Sequence, residues 1–160
     1  MTISGSCLCG GVRFEIERAC GPVEMCHCNR CRKLSGSSGL PMIGVKAADF
    51  RFLEGRDLVR TYSAPILYEP PAYQASFCSN CGSPAPPPDP GGADFEIPAG
   101  LFDEDPLVTP DRHIFVDFAP PWCEFTDSLP RYTMRELFEL RHGRSLPEDF
   151  APRSHYGARR

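Results

Sequence analysis

No apolar run in the 160 residues approaches the roughly 18 that a membrane-spanning helix requires, and Met1 to Ser6 has neither a basic flank nor an apolar core. An unexported, cytoplasmic protein with no membrane partner is therefore expected. Positive charge is also in short supply. Seventeen Lys and Arg face 21 Asp and Glu, for a net charge of −4. Such a chain as a whole repels phosphate backbones, so nucleic acid is not an expected partner. Missing too are a phosphate-binding glycine loop, a dinucleotide fingerprint, a Ser-His-Asp order and any internal repeat beyond paired cysteines.

What the chain does have is glycine, proline and cysteine. Gly and Pro together supply 32 residues, a fifth of the sequence, which disfavours a helical protein and points to a loop-rich, mainly β domain. Nine cysteines are too many to be incidental. In a reducing compartment an odd number of them is not a disulfide framework, so metal binding leads.

Seven of the nine fall in three clusters: Cys7-Leu8-Cys9-Gly10-Gly11, Cys26-His27-Cys28-Asn29-Arg30-Cys31 and Cys78-Ser79-Asn80-Cys81-Gly82. A Cys-x-x-Cys-Gly turn can offer two sulfurs to one tetrahedral zinc, the glycine letting the backbone turn away behind the second. The first cluster is a tighter version, with both sulfurs on one side of an extended segment. The middle cluster offers three sulfurs from six residues. Pairing the first cluster with the third gives a closed four-thiolate site and leaves a three-thiolate site with a free corner, the usual difference between structural and catalytic zinc. A split using Cys7, Cys9, Cys26 and Cys28 competes with this, as does a fourth protein ligand at the triplet. A thioredoxin-like role for Cys78 and Cys81 is disfavoured, because the proline-rich residues that follow cannot open a helix. Cys20 and Cys123, each alone, read as small buried apolar groups.

Alternation places Val12, Phe14 and Ile16 on one face of a strand, and Pro22 to Met25 continues the pattern into the triplet. Further short strands are expected at 40–45, 58–62, 73–77, 95–98 and 114–118, forming small antiparallel sheets. Ser83 to Gly92, with five prolines, reads as an exposed loop. Only the end of the chain looks helical: Thr133 caps a segment whose Met134, Leu137 and Phe138 share a face, and Gly143 follows. Residues 133–160 thus form a helix and polar tail, joined to or peripheral to a zinc domain over 1–132.

The three cysteine motifs, extended to Gly5-Ser6-Cys7-Leu8-Cys9-Gly10-Gly11-Val12, Cys26-His27-Cys28-Asn29-Arg30-Cys31-Arg32-Lys33-Leu34-Ser35-Gly36 and Phe77-Cys78-Ser79-Asn80-Cys81-Gly82-Ser83, resemble the glutathione-dependent formaldehyde-activating enzyme (GFA) family, or CENP-V/GFA domain. Weaker echoes are Ala99-Gly100-Leu101-Phe102-Asp103, Pro110 to Ile114 and Pro121-Trp122. The resemblance runs over about residues 4 to 132 and implies a zinc-binding β-tent fold of small packed sheets. It implies two zinc ions per chain: a structural one on Cys7, Cys9, Cys78 and Cys81, and a catalytic one on Cys26, Cys28 and Cys31. The implied reaction joins formaldehyde to glutathione, giving S-hydroxymethylglutathione, the work of a carbon-sulfur lyase. Members often carry an arginine three residues before the second knuckle, where this chain has Ala75, and an aliphatic residue after Cys-Gly-Ser, where it has Pro84. Three thiolates outweigh the charge of zinc, and Arg30, Arg32 and Lys33 stand ready to offset that excess or to bind the carboxylates of a glutathione moiety. His27 is expected to point away from the triplet metal, with a proton-shuttle role open to it, and His113 reads as a strand-end residue. A different class of function, a non-catalytic zinc scaffold that binds a protein partner, is the alternative.

Overall fold

The computed structural model describes residues 2–19, 21–67 and 70–151; Cys20, expected as a buried apolar group, lies outside them. Among the described residues ten short strands form three small sheets, accompanied by two α-helices. In the first, β1 (Ile3–Ser6), β2 (Arg13–Ile16) and β5 (Phe50–Glu54) pair antiparallel in that order. In the second, β6 (Val59–Ser63) and β7 (Gln74–Cys78) form an antiparallel pair. The third holds five strands in the order β10 (Arg131–Tyr132), β9 (Arg112–Ile114), β3 (Val23–Cys26), β4 (Leu40–Lys46) and β8 (Asp94–Pro98). It is mixed, because β9 runs parallel to both of its neighbours.

The five-stranded sheet is buried on both faces, and β4 shows why its sequence is apolar almost throughout. Ile43 and Val45 turn toward the three-stranded sheet, where they meet Phe14, Ile16, Val23 and Ile97. Leu40 and Met42 turn the other way, toward Cys26, Cys28, Cys31 and α2 (Met134–His142). Full burial of each such side chain stabilises the fold by about 1.5–3 kcal/mol, so two opposed layers fix the register of β4 against a one-residue slip. A third cluster joins Cys7 and Val12 to Val59, Cys78 and Ala85.

Alternation located the strands at 13–16, 23–26, 40–46, 59–63, 74–78 and 94–98 to within one or two residues. Three expectations need correction. The triplet segment contains a helix, α1 (Asn29–Ser35), whose start is made by Cys28: its sulfur accepts from the Cys31 amide at 3.5 Å, and Gly36 closes the other end in the left-handed conformation. The 114–118 strand stops at Ile114, because Phe115 adopts φ 57° and turns the chain into a 3-10 turn over 116–118. The proline-rich segment is not an exposed loop. Ala85 and Pro86 are buried, the Ala85 amide donates to Ser76 at 3.0 Å, and Pro84 bridges to Phe77. Prolines bring no N–H to satisfy, so burying them is inexpensive.

The described residues after α2 also pack rather than trailing away. Leu146 is buried, Phe150 lies against the same cluster, and the Arg135 guanidinium donates to the carbonyls of Leu146, Pro147, Glu148 and Phe150 at 2.9–3.3 Å. Among the described residues no helix is long and apolar enough to cross a membrane.

One glycine is dictated twice over. Gly55 has φ 70°, and a Cβ there would lie 1.8 Å from the Gly11 carbonyl oxygen, beside the first cysteine cluster. Gly55→Ala is expected to lower stability by more than about 2 kcal/mol, read as a falling midpoint in thermal or urea unfolding.

Candidate metal centres and the cavity beside them

Two loops bring four sulfurs together. After β1 the chain reverses through Cys7, Cys9 and Gly10 (φ 71°), with the Gly10 amide donating to the Cys7 carbonyl at 2.8 Å and the Val12 amide to the Cys7 sulfur at 3.2 Å. At the end of β7 the Gly82 amide donates to the Cys78 carbonyl at 2.8 Å, and Gly82 takes φ 75°. Asn80 Nδ2 donates to the Cys9 sulfur at 3.2 Å and the Leu8 amide to Ser83 Oγ at 3.0 Å, stitching loop to loop. The sulfurs of Cys7, Cys9, Cys78 and Cys81 all lie within 4.8 Å of one another, with Cys7 to Cys9 at 3.5 Å and Cys9 to Cys78 at 4.0 Å. Four thiolates at the corners of a zinc tetrahedron stand ~3.8 Å apart, so this set fits one ion. Its donors favour charged sulfur: Asn80 lowers the Cys9 pKa, and Ser83 lowers that of Cys81 to about 6.

The other three sulfurs, of Cys26, Cys28 and Cys31, are buried and also lie within 4.8 Å of one another. Cys26 is the last residue of β3, Cys28 caps α1 and Cys31 sits in its first turn. The fold therefore groups the clustered cysteines as four and three, not as Cys7, Cys9, Cys26 and Cys28. Cys26 and Cys31 hydrogen-bond to the Cys28 sulfur and draw its pKa far down, while the Cys26 thiol is pushed well above its ordinary value by Cys28, Cys31 and burial. Three sulfurs grouped in this way are a donor set suited to a soft or borderline metal ion.

A cavity of about 500 Å³ opens on this trio. Of the three basic residues singled out, only Arg30 lines it. Its guanidinium carbon sits 5.5 Å from the Tyr73 ring centroid, and its buried Nε has no hydrogen-bond partner among the described residues. Arg32 instead donates to Asn29 at 2.6 Å, and Lys33 is exposed outside the cavity lining. Sequence reasoning missed four other walls: Glu24, Tyr73, Glu96 and Arg141. Glu24 is 2% exposed and is held by Arg141 at 2.6 Å and Arg112 at 3.8 Å. A buried acidic residue inside β3 was a visible signal; its arginine partner 117 residues away was not. Burial also raises the Tyr73 pKa.

His27 and His113 do not line the cavity. His27 Nδ1 donates to the Ser38 carbonyl at 2.8 Å, its Nε2 shares a hydrogen bond with His113 Nδ1 at 2.8 Å, and His113 Nε2 meets Asp127 at 3.0 Å. Burial lowers the His27 pKa, and the bond from His113 lowers that of Asp127. Phe125 stands edge-on to both imidazoles, with ring centroids 5.0 and 4.9 Å away. Cys123, alone, is half-buried, and Ala75 lies in β7 opposite Tyr62.

The family profile described as glutathione-dependent formaldehyde-activating enzyme matches residues 2–117. A protein of Halomonas elongata, provisionally named a glutathione-dependent formaldehyde-activating enzyme, is 32% identical over 127 residues, 78% of this chain and 81% of its own length. A crystal structure of a Rhodobacter sphaeroides protein aligns with a TM-score of 0.48 and 18% identity, covering 81% of this chain and 99% of that one.

The histidine relay yields a prediction. His113→Leu leaves the buried His27 Nε2 without its hydrogen-bond partner and is expected to cost about 1–3 kcal/mol in urea unfolding. Asp127→Ala, at the exposed end of the same chain, is expected to cost less.

Proposed function

Because the chain belongs to the glutathione-dependent formaldehyde-activating enzyme family, we propose that it is a zinc-dependent carbon-sulfur lyase acting on glutathione or a related thiol adduct, with formaldehyde as co-substrate. The observation that carries this reading is the placement of three buried cysteines on the wall of a cavity large enough for a small peptide, with a cation beside them. In it Cys7, Cys9, Cys78 and Cys81 would hold a structural ion, and Cys26, Cys28 and Cys31, on the cavity lining, would hold a second. Zinc, when bound at the second set, supplies activation of a thiol by lowering its pKa.

The chain's own residues do the rest. Arg30, fixed over Tyr73 on the cavity lining, is placed to receive a substrate carboxylate on its guanidinium. Arg32 and Lys33 contribute to the field around α1 from outside the lining, and do not touch the substrate in this reading. Leu67, Met42, Ile114 and Phe115 give the cavity apolar walls that limit water around the reacting sulfur. The reaction is a balanced addition. A carbon-sulfur bond forms between the thiol sulfur and the carbonyl carbon, the thiol proton ends on the new hydroxyl, and nothing is oxidised or reduced. His27 and His113 are spent on each other, Ser38 and Asp127, and act by holding the triplet segment against β9.

Elemental analysis tests the division of labour. Wild-type protein is expected to hold two zinc ions; Cys28→Ser should stay folded with about one fewer and lose glutathione binding, whereas Cys78→Ser should lose metal together with thermal stability. If Cys28→Ser unfolds the chain as Cys78→Ser does, both sites are structural. Two bound ions with no glutathione binding would point to a scaffold for a protein partner.

A further inference from the structure

The charges in the cavity do not all cancel. Glu24 is accounted for by Arg141 and Arg112, which leaves Arg30, beside the sulfurs of Cys28 and Cys31, and Glu96 as a cation and a carboxylate on the same lining with no carboxylate-guanidinium pair among the described residues. Glu96 lies on β8, the edge strand of the five-stranded sheet, and the residue is exposed. Among the described residues its carboxylate has neither a hydrogen bond nor an ion pair. It faces a cavity that also contains the Glu24 carboxylate and three sulfurs, a setting in which an uncompensated anion is unfavourable. Although the residue meets solvent, partial desolvation at the cavity wall and the nearby Glu24 carboxylate raise its pKa. Arg112 and Arg141 are already engaged with Glu24, and His142 stacks on Phe138, with ring centroids 4.4 Å apart.

A ligand that restores balance must bring a positive group to Glu96 and a negative one to Arg30. A free α-amino acid carries both on a single carbon. We propose that Glu96 is the seat of a substrate's primary ammonium, so that the cavity takes thiols bearing a free α-amino-acid end, with the ammonium on Glu96 and the neighbouring carboxylate on Arg30. This inference rests on the thiol-adduct reading and specifies it: the end of glutathione recognised is the γ-glutamyl one. Thiols with a carboxylate but no ammonium are then poor ligands, even though their sulfur is unchanged.

Isothermal titration of the zinc-loaded protein with two probes decides the matter. One probe is glutathione; the other is glutaryl-cysteinylglycine, the same molecule with hydrogen in place of the α-ammonium. Wild-type protein should bind glutathione at least about tenfold more tightly, the scale of one charge-assisted hydrogen bond, and Glu96→Gln should bind the two equally. Equal affinity of both probes for the wild type, or an equal loss of both in Glu96→Gln, overturns the assignment. Should the variant fold poorly, as judged by its zinc content, the two-probe comparison on the wild type still decides. If glutathione itself fails to bind wild-type protein with both metal sites filled, the thiol-adduct reading falls, and this one falls with it.

Discussion

The arrangement around the cavity depends on β3, a strand of four residues hydrogen-bonded on both edges and buried on both faces. Cys26 is paired with Leu40 on one side and Ile114 on the other, so its position is set by two strands that arrive from different parts of the chain. The His27 amide extends the contact by donating to Ile114. One residue later the backbone leaves the sheet, and Cys28 starts α1. The three sulfurs are therefore placed by a strand end, a helix cap and a first helical turn, each a position with little backbone freedom. Rigid support of this kind is what a metal-ligand set needs if its geometry is to be held rather than induced.

The two cysteine groups solve different problems with the same atom. Cys7, Cys9, Cys78 and Cys81 join loops separated by about 70 residues of sequence and sit over the smallest of the three apolar clusters, where little hydrophobic burial is available. Cys26, Cys28 and Cys31 sit within the cluster that includes α2, where packing is plentiful. The proposed division into a structural and a catalytic site follows these two settings.

Much of this was legible in the sequence, and the limits have physical causes. The cysteine spacings and glycines announced two knuckles because each knuckle is local. Strands with strict alternation, such as Arg13–Ile16, were found because one face is buried. Helix α1 was hidden: its seven residues carry no apolar period and its cap is a thiol rather than a hydroxyl or carboxylate. Phe115 gave no warning of its left-handed backbone, which is rare for a bulky residue. The cavity walls were the least visible part, since Glu24, Tyr73, Glu96 and Arg141 converge only through tertiary structure. Among the basic residues near the triplet, helical geometry sent Arg30 inward and Arg32 and Lys33 elsewhere, a distinction that the sequence Arg30-Cys31-Arg32-Lys33 does not show.

The segment from Leu146 to Phe150 has no ladder of its own; four of its carbonyls are gathered by the guanidinium of Arg135. That arginine stands one turn and a half before Arg141 on the same helix, and Arg141 reaches the buried Glu24 beside the trio of sulfurs. Helix, closing segment and cavity wall are thus linked through two arginines of one helix, so that loosening of residues 146–150 is expected to reach the wall.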